Sequence, residues 1–171
     1  MTLEEWAIAN RDMVPHLSTL TDYASRCQVI VELGVRGGVS SWAFLDGLDE
    51  GRLISVDIDD CRQSVPERVR NDHRWTFLHG DDMDPVIQAQ LPGAADLVFI
   101  DTSHEYAHTV LELAMASAMD PSWILCHDAD WPGVALATAE FCTDNDWAIR
   151  QFVEAHDEKG SFSLVILEPN S

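Results

Sequence analysis

Short apolar runs rich in β-branched residues recur along the chain, and between them lie segments in which apolar residues return every three or four positions. That alternation predicts parallel strands joined by crossover helices. The strands fall at Gln28 to Leu33, Arg52 to Ile58, Trp75 to Leu78, Asp96 to Asp101 and Trp123 to His127. The helices fall at Ser40 to Leu48, Arg62 to Asn71, Asp84 to Gln90, Tyr106 to Met119 and Val134 to Asn145.

Two more apolar runs, Trp147 to Glu154 and Ser161 to Glu168, flank Asp157-Glu-Lys-Gly160 and predict a closing hairpin. Ahead of the first strand, Leu3, Trp6, Ala7, Met13, Leu17, Leu20 and Ala24 recur at helical spacing, so residues 1–27 read as a helical prelude that covers a sheet edge or a pocket. The expected fold class is α/β: a doubly wound, mostly parallel, Rossmann-like sheet of seven strands with a C-terminal antiparallel hairpin and an N-terminal helical segment. No repeat, low-complexity tract or linker interrupts the pattern, and residues 1–171 are expected to form a single domain.

Composition narrows function more than fold. Thirty acidic residues against ten basic give a net charge of −20. Such a field disfavours nucleic acid and anionic lipid, and suits divalent cations and neutral or cationic small molecules. Most of these charges are ordinary solvated surface under any function. No run is long and apolar enough to cross a membrane, and Met1-Thr-Leu-Glu-Glu-Trp6 lacks the basic end and apolar centre of a signal peptide, which predicts a cytoplasmic protein. Cys27, Cys61, Cys126 and Cys142 are far apart and form no zinc-type cluster; Cys126, inside an apolar run, is expected to be core rather than nucleophile.

The segment Val29-Ile-Val-Glu-Leu-Gly-Val-Arg-Gly-Gly38 is a strand that turns through glycines into a helix beginning near Ser40. Glycine lets the backbone approach a ligand closely, and the helix start supplies free N–H donors. The next strand ends in Ser55-Val-Asp57, where a carboxylate is placed to take both hydroxyls of a ribose. The third is followed by Gly80-Asp81-Asp82. A tight turn alone is a weak signal; three successive strand ends with ligand-type residues make a stronger one.

These strand ends resemble the Rossmann-like, class I S-adenosylmethionine-dependent methyltransferases, over roughly Val29 to His127. The resemblance implies S-adenosyl-L-methionine as cofactor. Glu32, Gly34, Gly38 and Ser40 would face its methionine part, Asp57 with Ile58 beside it would hold the ribose, and Asp81 or Asp82 would meet the adenine amino group. Arg36 departs from the pattern, standing where many members have a middle glycine. A nicotinamide dinucleotide suits the turn less well: Gly34-Val-Arg-Gly37-Gly38 is not a GxGxxG loop, and Glu32 would oppose a pyrophosphate at the helix start.

The fourth strand delivers Phe99-Ile-Asp101-Thr-Ser-His104-Glu-Tyr106, and the fifth Leu125-Cys-His127-Asp128-Ala-Asp130-Trp131. Two carboxylates from neighbouring strand ends, with waters and a substrate oxygen, suit a hard cation such as Mg²⁺. The Asp-x-x-His pattern resembles the metal-dependent sugar and small-molecule O-methyltransferases of the same superfamily. By that resemblance Asp101 and Asp128 become metal ligands and His104 the general base, with Asp101 also in the catalytic set. Ala129 cannot supply a third ligand through its side chain, so His127 or Asp130 would substitute. Against this, Asp101 and Asp128 are also ordinary helix or turn caps, and His104 an ordinary helix-start residue. His73, His79, His108 and His156 read as surface or loop residues, and Trp131-Pro-Gly133 as either a flap over the acceptor or a simple turn.

The expectation is therefore a methyltransferase that O-methylates a small-molecule hydroxyl with the help of a divalent metal, its pocket open or completed by another subunit in a homo-oligomer. A nicotinamide-dependent oxidoreductase and a non-catalytic binding or scaffold module are the alternatives, since one architecture hosts many functions.

Overall fold

Runs enriched in β-branched and aromatic residues place the strands β1 (Val29–Leu33), β2 (Arg52–Asp57), β3 (Trp75–His79), β4 (Leu97–Ile100), β5 (Trp123–His127), β6 (Trp147–Asp157) and β7 (Gly160–Pro169). They are seen in a computed structural model that describes residues 2–7, 11–157 and 160–170. The strands form one seven-stranded sheet in the order β3-β2-β1-β4-β5-β7-β6. This is the Rossmann-like α/β class expected, mostly parallel with an antiparallel C-terminal hairpin. The turn residues Glu158 and Lys159 of that hairpin lie outside the described residues. The chain divides into two compact units, Met1–Leu91 and Pro92–Ser171.

In the first unit, β1, β2 and β3 run parallel, with Glu32 beside Ser55 and Asp57 beside His79 in register. The helix α3 (Val39–Gly47) follows β1 and is buried continuously from Val39 to Leu45, so no polar face marks it. It is covered by the prelude, which consists of α1 (Leu3–Ala7), a 3-10 turn at Arg11–His16 containing Pro15, and α2 (Leu17–Ala24). The prelude thus packs on a helix. Gly47 is the reason α2 and α3 approach closely: a Cβ there would stand 2.3 Å from the Thr21 carbonyl oxygen.

The helix expected at Arg62 to Asn71 is broken into a 3-10 turn at Cys61–Gln63 and a short α4 (Glu67–Arg70). Pro66 lies between them and has no N–H to continue a helix. The next helix, α5 (Pro85–Gln88), starts with Asp84 accepting the Val86 N–H at 2.8 Å and proline in the first turn.

In the second unit, β4 and β5 are parallel and β7 is antiparallel to both β5 and β6, with a bulge between Ile149 and Gln151. Two helices pack together, α6 (Tyr106–Ser117) and α7 (Pro132–Asp144). α7 begins at Pro132, two residues earlier than its apolar spacing predicts, because proline is well suited to the first helical position. Among the described residues no helix is long and apolar enough to cross a membrane.

Candidate functional site

The turn after β1 takes its shape from left-handed backbone at Gly34 (φ 91°), Arg36 (φ 49°) and Gly38 (φ 68°). At Arg36 the chain holds an arginine where glycine would sit without steric cost. That accounts for the departure seen in the sequence: the backbone keeps a glycine-like conformation although the residue has changed. Asp57 holds it there. Its Oδ2 accepts the Val35 N–H at 2.8 Å and the Arg36 N–H at 3.0 Å, and its Oδ1 accepts the Asp59 N–H at 2.9 Å. Burial pushes the Asp57 pKa up, but these backbone bonds and the Cys61 thiol outweigh it and hold the carboxyl below its ordinary value. The Cys61 thiol, buried beside Asp57, is pushed up to about 12.

Glu32 has no exposed surface. Its Oε1 accepts the Ser40 hydroxyl at 2.6 Å, while its Oε2 accepts the Ser41 hydroxyl at 2.7 Å and that of Ser55; the Trp75 indole N–H donates to Ser55 Oγ at 2.9 Å. The acid next to the loop therefore ties β1, β2 and the first turn of α3 into one buried network, and Ser40 belongs to that network. Ile58 is 70% exposed beside Asp57. Of the acidic pair after β3, Asp81 is exposed and caps its own turn through the Met83 N–H at 2.8 Å, whereas Asp82 is buried.

In the second unit, the ends of β4 and β5 bring Asp101, His104 and Asp128 together, with ligand-type atoms within 4.8 Å of one another. His104 Nε2 lies 2.9 Å from Asp128 Oδ2, off the N–H axis, and has no hydrogen-bond partner among the described residues although it is buried. The Trp131 ring stacks on the His104 imidazole, centroids 4.5 Å apart and planes 22° apart. Gly133 sits so close to the His104 carbonyl that a Cβ would stand 2.2 Å from it, so the start of α7 is fitted against this loop. Asp128 itself has left-handed backbone, φ 50°.

His127, buried behind the pair, places Nδ1 3.2 Å from Asp101 Oδ1 and 3.3 Å from Asp128 Oδ2. Burial opposes its charge, but the two carboxylates prevail and raise it to about 10. Asp128 is held low: burial raises its pKa, while His127 and His104 outweigh that. Of the two residues proposed as a third ligand, His127 is with the pair and Asp130 is engaged elsewhere, bonded through its N–H (2.8 Å) and carboxylate to the Ser163 hydroxyl.

Comparison with known proteins settles the family. A family model described as a methyltransferase domain matches residues 31–129, more than half of the chain. The chain belongs to that family. The methyltransferase also shares its fold with the O-methyltransferase from Bacillus cereus, solved with S-adenosylhomocysteine: TM-score 0.76 and 16% identity, covering 98% of this chain and 90% of that one. It is similar to the O-methyltransferase TomG of Streptomyces achromogenes, involved in tomaymycin synthesis and solved with S-adenosylmethionine: TM-score 0.75 and 18% identity over 99% and 89% of the two chains. No protein of curated function matches it. The resemblance to Rossmann-like S-adenosylmethionine-dependent methyltransferases read from β1 to β5 holds.

Some features of the methyltransferase are absent from the sequence reading. Glu112 is fully buried on α6 and accepts the Thr102 hydroxyl at 2.5 Å, and His108, read as surface, is half-buried 3.6 Å from it. The signal was available: Glu112 falls in phase with Thr109, Leu113 and Ala116, the buried stripe of α6. His73 and His79 are exposed as expected, and the side chain of His156 lies outside the described ones. Cys126 is core, with no exposed surface.

Proposed function

We propose that this methyltransferase moves the methyl group of S-adenosylmethionine to a hydroxyl oxygen of a small-molecule acceptor, with a divalent cation held at Asp101 and Asp128, both units acting as one domain. The observation that carries the acceptor chemistry is the meeting of Asp101, His104 and Asp128, whose ligand-type atoms lie within 4.8 Å of one another. The two carboxylates fit a divalent cation such as Mg²⁺ when waters complete its shell, which leaves the imidazole free to act as a base.

In the first unit the glycine turn receives the methionine part of the cofactor, and Ser40, bonded to Glu32, fixes the start of α3 behind that turn. Asp57, kept ionised by three backbone N–H groups and the Cys61 thiol, shapes the turn at the ribose with Ile58 beside it, and the exposed Asp81 is the acid for the adenine amino group. The cofactor supplies a methyl group on a sulfonium, and the cation, when bound, lowers the pKa of the acceptor hydroxyl. His104 takes the hydroxyl proton on Nε2. Asp128 orients that nitrogen, and Trp131 fixes the plane of the ring. His127, as a cation between Asp101 and Asp128, keeps the two carboxylates from repelling one another apart. A cytoplasmic location suits four cysteines that are all free.

The test is calorimetric titration of S-adenosylmethionine and S-adenosylhomocysteine into the whole chain, followed by an acceptor screen with and without Mg²⁺. Saturable binding lost in Asp57→Ala, and methyl transfer to a hydroxyl lost in His104→Ala with cofactor binding intact, is the expected result. Absence of cofactor binding under every condition overturns it.

A further inference from the structure

The loop between β1 and α3 is gripped from two sides. Asp57 takes its Val35 and Arg36 N–H groups from within. On the other side, the Trp6 indole N–H of α1 donates to the Gly37 carbonyl at 2.8 Å, and the Asp12 carboxylate of the 3-10 turn meets the Arg36 guanidinium at 2.8 Å. Two neighbouring loop residues are thus held by two separate elements of the prelude.

Those elements are themselves built to hold. α1 has only five residues, too few to persist alone, yet Thr2 and Glu5 cap it reciprocally, the Thr2 N–H donating to Glu5 at 2.8 Å and the Glu5 N–H to the Thr2 hydroxyl at 3.2 Å. Ala7, Met13, Leu17 and Leu20 anchor the prelude in the core. What it grips needs gripping: Arg36 keeps a left-handed backbone that a non-glycine residue adopts only when its surroundings enforce it. We propose that Trp6 and Asp12 are positioning residues of the cofactor site. They hold Arg36–Gly37 in the shape that receives the cofactor, and so set cofactor affinity without touching it. This rests on the loop being the cofactor loop, as proposed above.

The whole chain is compared with Trp6→Phe, Asp12→Asn and the charge swap Asp12→Arg/Arg36→Asp, whose aspartate tolerates left-handed backbone. Two readouts are taken: backbone hydrogen exchange over residues 33–44 without cofactor, and KM for S-adenosylmethionine against kcat. Trp6→Phe is expected to speed loop exchange and raise the cofactor KM about fivefold to tenfold, the size of one hydrogen bond. Asp12→Asn raises it about twofold to fivefold, as for an exposed ion pair, and the charge swap restores most of that. At saturating cofactor, kcat stays within about twofold of the original. Unchanged loop exchange in both single variants overturns the proposal. Faster loop exchange in a chain that binds no S-adenosylmethionine at all upholds the grip on the loop and sinks the cofactor reading instead.

Discussion

A carboxylate with no exposed surface persists only where donors meet both of its oxygens, and Glu32 has three serine hydroxyls to do so. Glu32→Ala leaves those hydroxyls without their acceptor and opens a void, so urea unfolding should report a loss of about 2–4 kcal/mol. Glu32→Gln should lose less than half of that, because its amide oxygen still accepts and a rotated hydroxyl can accept from its NH₂. Equal losses in the two variants would mean that charge, rather than the acceptor count, holds the network. Asp57 gives a pH test. Its folded pKa lies below the ordinary 3.8, so its contribution is complete above that value and is lost as pH falls through the folded pKa. The stability difference between the wild type and Asp57→Asn should therefore be constant above about pH 5 and shrink as the pH falls below the ordinary carboxylate value. Asp57 was legible because a strand end fixes where its carboxylate sits. What Glu32 faces was not: an acid before a glycine turn reads as a ligand, and the serines that enclose it come from a helix and a neighbouring strand whose register the sequence does not print.

At the scale of elements, strand periodicity and glycine turns carried the strands of the fold almost unaltered, from β1 through β7. Helix ends were less legible, since Pro66 and Pro132 set them by N–H and φ constraints that override apolar spacing. The prelude's task was also hidden, because Trp6 and Asp12 act through contacts across more than twenty residues of chain. Two glycines show how the elements are fitted. A Cβ at Gly38 would stand 2.8 Å from Val65 Cγ1 and 3.3 Å from Pro66 Cδ, on a backbone at φ 68°. Gly38→Ala should cost about 2–3 kcal/mol in urea unfolding, of which about 1–2 kcal/mol is left-handed strain. Adding Val65→Ala should recover the crowding part only. Gly133→Ala acts elsewhere, since its Cβ would meet the His104 carbonyl at 2.2 Å. Displacing that loop by even about an ångström should lower kcat at least tenfold while S-adenosylmethionine affinity is unchanged. If kcat is unchanged, the start of α7 does not govern where His104 stands.

For the molecule as a whole, a net charge of −20 makes any added cation stabilising, because screening relieves the self-repulsion of the folded chain. The Mg²⁺ binding proposed at Asp101 and Asp128 is therefore tested against this general effect by comparing MgCl₂ with NaCl at equal ionic strength. A specific site filled at a hundred times its Kd adds about 2.7 kcal/mol, which in a chain of this size raises Tm by about 5–10 °C beyond screening. Asp101→Asn/Asp128→Asn should show only the shift that NaCl produces, and should bind S-adenosylmethionine as the wild type does, because Asp57 and the glycine turn belong to the first unit. The same excess shift in wild type and double variant would place the cation elsewhere among the thirty acidic residues. Proton abstraction at the acceptor would then fall to His104 without help from a cation at this site, and kcat should show no dependence on Mg²⁺ beyond that on NaCl.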